Sequence, residues 1–207
     1  MDRRAEIVKT FLGKEVLSAS NNFLSQVMPY LEKNKKGIVV DQFCQDFQEL
    51  LYKCDMERIV GYVRCIQLSL VRAKALMGVP FYQLETFGDN FILEPPSAQM
   101  VMNLDWLYHS YQKFCGEITV GRKKYMQQIL DSELSSVKLA QLSVCNNVVR
   151  YLFVEALPYI IDLPAFQRLS LEDDIQIQIG EFHGEYETIF ITNAYTKKIG
   201  ELWRGIL

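Results

Sequence analysis

Chain-breaking residues are scarce in this sequence. It holds 11 glycines and 6 prolines in 207 residues, below the ordinary combined share of about 12%. Such a chain favours long helices. Histidine is scarcer still, with only His109 and His183. No HExxH, GxSxG, P-loop or GxGxxG pattern occurs, so the commonest hydrolase, nucleotide and dinucleotide signatures are missing. An enzyme assembled from scattered carboxylates survives that exclusion. A basic face is missing too: net charge is −3, and acids and bases are interspersed. This argues against nucleic acid as a partner, since a binder needs clustered cations. The basic runs Lys33, Lys35, Lys36 and Arg122, Lys123, Lys124 are short, and the first suits a helix C-terminus for local reasons.

The 5 cysteines, at 44, 54, 65, 115 and 145, include no CxxC, and their number is odd. They read as free thiols in apolar helical stretches of a reducing compartment, with a zinc site or disulfide framework as the alternative. No apolar run is long enough to span a bilayer, which takes about 20 residues. The best stretch, Val148 to Leu163, contains Arg150, Glu155, Pro158 and Asp162, and reads as a buried core helix. The opening residues carry charges throughout and lack the apolar region of an export signal. A soluble, cytoplasmic protein is expected, with no membrane partner. The general composition is of a bacterial kind, which assigns no function.

What is present is mostly helical periodicity. Residues 2–12 and 14–33 read as helix broken at Gly13, with a polar stop at 34–37. Asp41 is the expected N-cap of a helix whose stripe is Phe43, Phe47, Leu50, Leu51 and Cys54. Asp55 is expected to cap the next, with Ile59, Tyr62, Val63, Ile66, Leu70 and Val71 on one face, ending at Gly78-Val79-Pro80. Residues 81–94 then turn aromatic and β-branched around Gly88-Asp89-Asn90, a β-hairpin signal. Ser97 can cap a helix to about Cys115, and Gly116 and Gly121 bracket a link. Residues 123–163 are helical, with a break near Asp131 and Ser132. Pro158 and Pro164 kink or end that run. Strict alternation at 174–179 predicts a strand, His183-Gly184 a turn, and 187–192 the partner strand. The last residues suggest a short helix carrying Trp203.

The fold class is therefore α+β, predominantly α: a helical bundle of about five to seven helices with an inserted hairpin and a C-terminal β-hairpin. Residues 1–164 form the bundle, with the hairpin insertion near 81–94. Residues 165–207 supply the C-terminal hairpin and short helix packed on it, as one compact unit.

Two places could carry function. The densest aromatic feature comprises Phe81, Tyr82, Phe87, Phe91, Trp106, Tyr108 and Tyr111. Such rings either join a hairpin to a bundle or line a partner-binding surface. The other is the acidic hairpin with Glu181, His183, Glu185 and Glu187, near Asp173 and Asp174. A carboxylate and an imidazole two apart share one face of a strand, and could form an acid–base pair or hold a metal. Acids also crowd exposed turns for solvation alone. His109, four residues after Asp105, reads as a local surface pair. The function expected is that of a non-enzymatic interaction protein (adaptor, inhibitor or immunity-like binder) using an aromatic surface and hairpin edges. The alternative is an enzyme or metal-binding protein centred on the acidic hairpin. A protein partner is implied, a second copy of the chain among the candidates. No cofactor is implied, and no residue is assigned as catalytic or as a metal ligand.

Overall fold

The computed structural model describes residues 3–32, 36–56, 63–88, 90, 93–126, 128–169 and 175–192. Its architecture is α+β, dominated by helix, with one five-stranded sheet. The first helices are α1 (Arg3–Phe11) and α2 (Leu17–Leu31), joined without a loop by a π-helical stretch, Leu12–Val16. Gly13 therefore widens the helix rather than ending it. Next comes α3 (Lys36–Met56). It starts before Asp41, so Asp41 is not its cap; the expected polar stop lies partly outside the described residues.

The expected helix through Ile66 and Leu70 is instead a strand, β1 (Cys65–Leu70), followed by the one-turn α4 (Arg72–Leu76). Ile66, Leu68 and Leu70 alternate with Gln67 and Ser69, and every one of these residues is buried. Val63, Ile66 and Leu70 also fit helical spacing, which is why period 3.6 was compatible with a period-two segment. Ile59 and Tyr62 lie outside the described residues.

The inserted hairpin is real but longer than expected. Strand β2 (Tyr82–Phe87) pairs antiparallel with β3 (Ala98–Val101), beyond Pro95-Pro96. The arm that pairs with β2 thus follows the two prolines, which supply no ladder donors; residues 91 and 92 of the expected arm lie outside the described residues. The helix expected from Ser97 begins instead at Asp105, because residues 98–101 are used as a strand. This α5 runs Asp105–Arg122, with Gly116 and Gly121 inside it. A Cβ at Gly121 would lie 2.9 Å from the Glu15 Cβ, so this glycine lets α5 approach the π-helical turn closely. A 3₁₀ turn (Lys123–Tyr125) leads to α6 (Asp131–Ile161), whose start is held by the Glu133 carboxylate accepting the Leu130 N–H at 2.7 Å. Pro158 falls in its last turn, and Pro164 opens the short α7 (Pro164–Gln167).

The C-terminal hairpin forms as read, β4 (Ile175–Glu181) with β5 (Tyr186–Thr192). It is not an appendage. β4 pairs parallel with β1, giving the strand order β3-β2-β1-β4-β5. One face of this sheet carries Ile66, Leu68, Leu70, Leu84, Ile175, Ile177 and Phe190, buried in one core with α3, α5 and α6. Cross-links mark that joint: Cys54 Sγ to Thr86 Oγ1 at 3.4 Å, and Tyr82 O–H to Asn146 Oδ1 at 3.3 Å. Val148, Leu152 and Ala156 of α6 are buried there, as their spacing of four predicts.

The opposite face carries Gln67, Ser69, Glu85 and Gln178, all polar and all buried. Among the described residues, no helix is long and apolar enough to cross a membrane. The five cysteines are free thiols, with Cys54, Cys65 and Cys145 buried. Burial, helped by the charge of Asp41, pushes the Cys44 thiol up to about 11.

Candidate functional site

Of the aromatic set, Phe81, Tyr82, Tyr108 and Tyr111 are brought together inside the core, while Phe87 falls on the opposite face of the sheet. Phe81, Tyr82, Phe87, Tyr108 and Tyr111 are buried, Trp106 is half-buried, and Phe91 lies outside the described residues. Phe81 sits edge-on to Tyr108 and Tyr111, with centroids 4.9 and 5.3 Å away. The phenol groups are spent locally. Tyr108 O–H donates to the Met102 carbonyl at 2.9 Å and Tyr111 O–H to the Lys138 carbonyl at 3.2 Å. These rings join sheet to helices, because large rings at the start of β2 and on the inner face of α5 fill the same core layer. Trp106 instead stacks on Tyr30 at 4.5 Å, and its buried indole N–H has no hydrogen-bond acceptor.

The acidic hairpin residues do not converge. Glu181 pairs with Arg72 at 2.5 Å, while Glu187 forms a two-pronged pair with Arg150 of α6 at 2.7 and 2.5 Å. That contact lowers the Glu187 carboxyl below its ordinary value. Glu185 and His183 are exposed in or beside the turn, His183 with a left-handed backbone, φ 58°. Asp173 and Asp174 lie outside the described residues. His109 is exposed, and its Nδ1 lies 2.8 Å from the Asp105 carbonyl rather than pairing with the side chain. Among the described residues, no group of three or more His, Cys, Asp or Glu could hold a metal ion. Arg122 and Lys124 are paired with Asp131 and Glu15.

Two arrangements were not visible in the sequence. The first is a polar network on the second face of the sheet. The Ser69 hydroxyl lies between Glu85 Oε2, to which it donates at 3.1 Å, and the Tyr186 hydroxyl at 2.8 Å. Gln83 donates to Glu85 Oε1 at 3.0 Å, and Lys74 Nζ donates to Gln83. Next to it, Gln67 donates to Gln178, which donates to Gln176 and Thr188. Glu85 is 2% exposed. Burial raises its carboxyl above the ordinary value, against the hydrogen bonds of Ser69 and Gln83 and the charges of Lys74 and His183. A hydroxyl between a carboxylate and a phenol makes a connected chain whose hydrogen bonds polarise one another in this buried setting.

The second is a cleft of about 420 Å³ between α3 and β3. It is lined by Gln42, Gln45, Asp46, Glu49 and Lys53 of the helix, and by Met100, Val101 and Asn103. Asp46 is only 4% exposed. Its Oδ2 accepts the Asn103 N–H at 2.9 Å and its Oδ1 accepts from Gln42 at 3.1 Å. Burial raises its carboxyl above the ordinary value, with Glu49 adding to the effect. The sequence signal for this cleft was weak: Gln42, Gln45, Asp46, Glu49 and Lys53 recur at three and four, the polar stripe of any amphipathic helix.

No protein-family model matches this chain, and no curated protein or solved structure matches it either.

Proposed function

We propose that this chain is a non-enzymatic interaction protein that receives an extended segment of a protein partner along a free edge of its sheet. One observation supports the reading. The sheet is open, and among the described residues no strand pairs with the outer side of β3 or of β5. Unpaired edges are templates for another strand, and natural proteins usually guard them. β3 is short and follows two prolines, while β5 has seven residues, an exposed Ile191, and neither lysine nor proline. The aromatic cluster supports this edge by fixing β2 to α5 from behind. The free thiols accord with a cytoplasmic setting.

The test is affinity capture from source-cell extract with the wild type and two edge variants, Val101→Pro and Ile191→Pro. Each removes one outward N–H. Loss of a captured protein in one variant, with both variants folded by circular dichroism, is the expected result. Equal capture by all three proteins refutes edge pairing. Light scattering of the purified chain tells whether a second copy is the partner.

A second reading is favoured by one observation, the buried Glu85 hydrogen-bonded to Ser69 with Tyr186 beyond. It would make the polar face a small-molecule or catalytic site, with His183 at its margin. A small-molecule thermal-shift screen separates the two. A compound that raises the melting temperature of the wild type but not of Glu85→Gln supports the second reading, since only a specific ligand stabilises by mass action.

A further inference from the structure

Strand alternation tells which way the β3 backbone points. Met102 donates its N–H inward to the Tyr82 carbonyl at 3.0 Å, and the next residue, Asn103, donates outward to Asp46 Oδ2. The same alternation turns the N–H groups of Gln99 and Val101 outward, along the cleft. Asp46 therefore already does for Asn103 what an added strand would do for Gln99 and Val101. β3 spans about 13 Å at the usual rise per residue, room for a segment of about four residues alongside it. One wall of the cleft is the exposed side chain of Val101, 45% accessible, with Met100.

The opposite wall is acidic in balance. Asp46 and Glu49 face one cation, Lys53, which is tied to Glu49 at 3.0 Å as an exposed i,i+4 pair. Among the described residues, no cation pairs with Asp46. A buried carboxylate served only by neutral donors carries an uncompensated charge. Its two oxygens hold more acceptor sites than the two hydrogen bonds they accept. An exposed pair such as Glu49 with Lys53 holds its partner weakly, so an incoming cation can share it.

We propose that the cleft between α3 and β3 takes a short extended segment of a partner protein bearing a lysine or arginine, added as a strand to β3 with its cationic head between Asp46 and Glu49. This rests on the edge-pairing reading above and names the edge and the chemistry of the partner. Strand addition supplies affinity through the outward N–H groups, and the acidic wall supplies the choice of side chain.

The probe is a fluorescently labelled pentapeptide, Thr-Val-Lys-Val-Thr with blocked ends, measured by anisotropy against the full chain. Three companion peptides replace the lysine with norleucine, replace it with glutamate, or carry N-methyl groups on alternate amides. The lysine peptide should bind at least tenfold more tightly than the glutamate and N-methyl peptides, and weaken as salt is raised. Glu49→Lys should lose that preference tenfold or more while keeping the wild-type circular dichroism spectrum. Glu49→Gln, a milder change, should lose part of it. Equal binding of the lysine, norleucine and glutamate peptides overturns the cationic pocket. Equal binding of the N-methyl peptide overturns strand addition at this site, as does binding to Val101→Pro at wild-type strength. Absence of binding by every peptide overturns the proposal. If capture in extract is then lost only in Ile191→Pro, edge pairing stands at β5 and this cleft is not its site.

Discussion

Replacing Leu152 by alanine tests whether the middle of α6 is the keystone of the core. Leu152 is 0% exposed, and its neighbours one turn away, Val148 and Ala156, are buried as well. The substitution removes three carbons, a transfer loss of about 2.4 kcal/mol at ~0.8 kcal/mol each. The cavity adds to this, because a 31-residue helix pinned on both sides has little freedom to close over it. The total expected is about 3–5 kcal/mol, in the upper part of the range for leucine-to-alanine changes. At about 2–4 °C per kcal/mol for a domain of this size, the melting temperature should fall by roughly 6–20 °C. Urea melts read by circular dichroism and by tryptophan fluorescence give the value, and coincidence of the two probes checks the two-state assumption. Tyr159→Ala on the same helix, at a residue 60% exposed, is the control and should stay within about 0.5 kcal/mol. A loss below about 0.5 kcal/mol for Leu152→Ala would place this face of the helix outside the core and refute the packing argument.

Three further outcomes are expected. The Glu85 carboxyl is raised by burial, so the folded protein keeps that proton to a higher pH than the unfolded chain does. Its contribution to stability therefore falls as pH rises through the window above the ordinary carboxylate value. Glu85→Gln should flatten that slope in urea melts taken from pH 4 to 8, and parallel profiles for the two proteins would contradict it. A Cβ at Gly180 would meet the Glu185 carbonyl oxygen at 2.2 Å and the Tyr186 Cα at 2.8 Å. Gly180→Ala should thus destabilise by about 1–3 kcal/mol as an overpacking change, and an unchanged thermal midpoint would show that the β4–β5 turn opens without cost. Double replacement of Glu181 and His183 by alanine removes one exposed pair to Arg72, and should cost no more than about 1 kcal/mol. A larger loss, or loss of an activity with the fold intact, would restore the hairpin tip as a site.

The longest helix and the C-terminal hairpin are legible because their apolar positions fit one period only. The isoleucines of β4 alternate at 175, 177 and 179, and the buried stripe of α6 runs from Leu134 to Ile160. β1 carries an equally clean alternation, but Ile66 and Leu70, with Val63 before them, also coincide with helical spacing. Pairing with β2 on one side and with β4, far along the chain, on the other decides the matter, and local pattern holds no record of either. The two-proline stretch was read as the end of a hairpin when it lies in its loop. The candidate sites suffered more. Ser69, Glu85 and Tyr186 come from three separate strands, and the cleft joins a helix to a strand more than forty residues later. Once β1 was read as helix, neither assembly was visible. Of the aromatic residues that form one group in the sequence, Phe81, Tyr82, Tyr108 and Tyr111 meet in the core, whereas Phe87 and Trp106 pack elsewhere. Burial of those four rings follows from the sheet–helix joint, which no composition count reveals.

The parallel contact of β1 with β4 also governs when the chain can finish folding. Gln67 bonds to Gln178 across a separation of 111 residues. At a synthesis rate of about 5–20 residues per second, β1 waits roughly 5–20 s before its central partner leaves the ribosome. During that wait β1 is itself the edge of a three-stranded meander with β2 and β3, and its row of isoleucine and leucine is without β4 alongside. Contacts of such long range are the slow ones. A nascent chain stalled short of residue 175 should therefore be the species most prone to aggregate and most in need of a chaperone, although most of its helices are already complete.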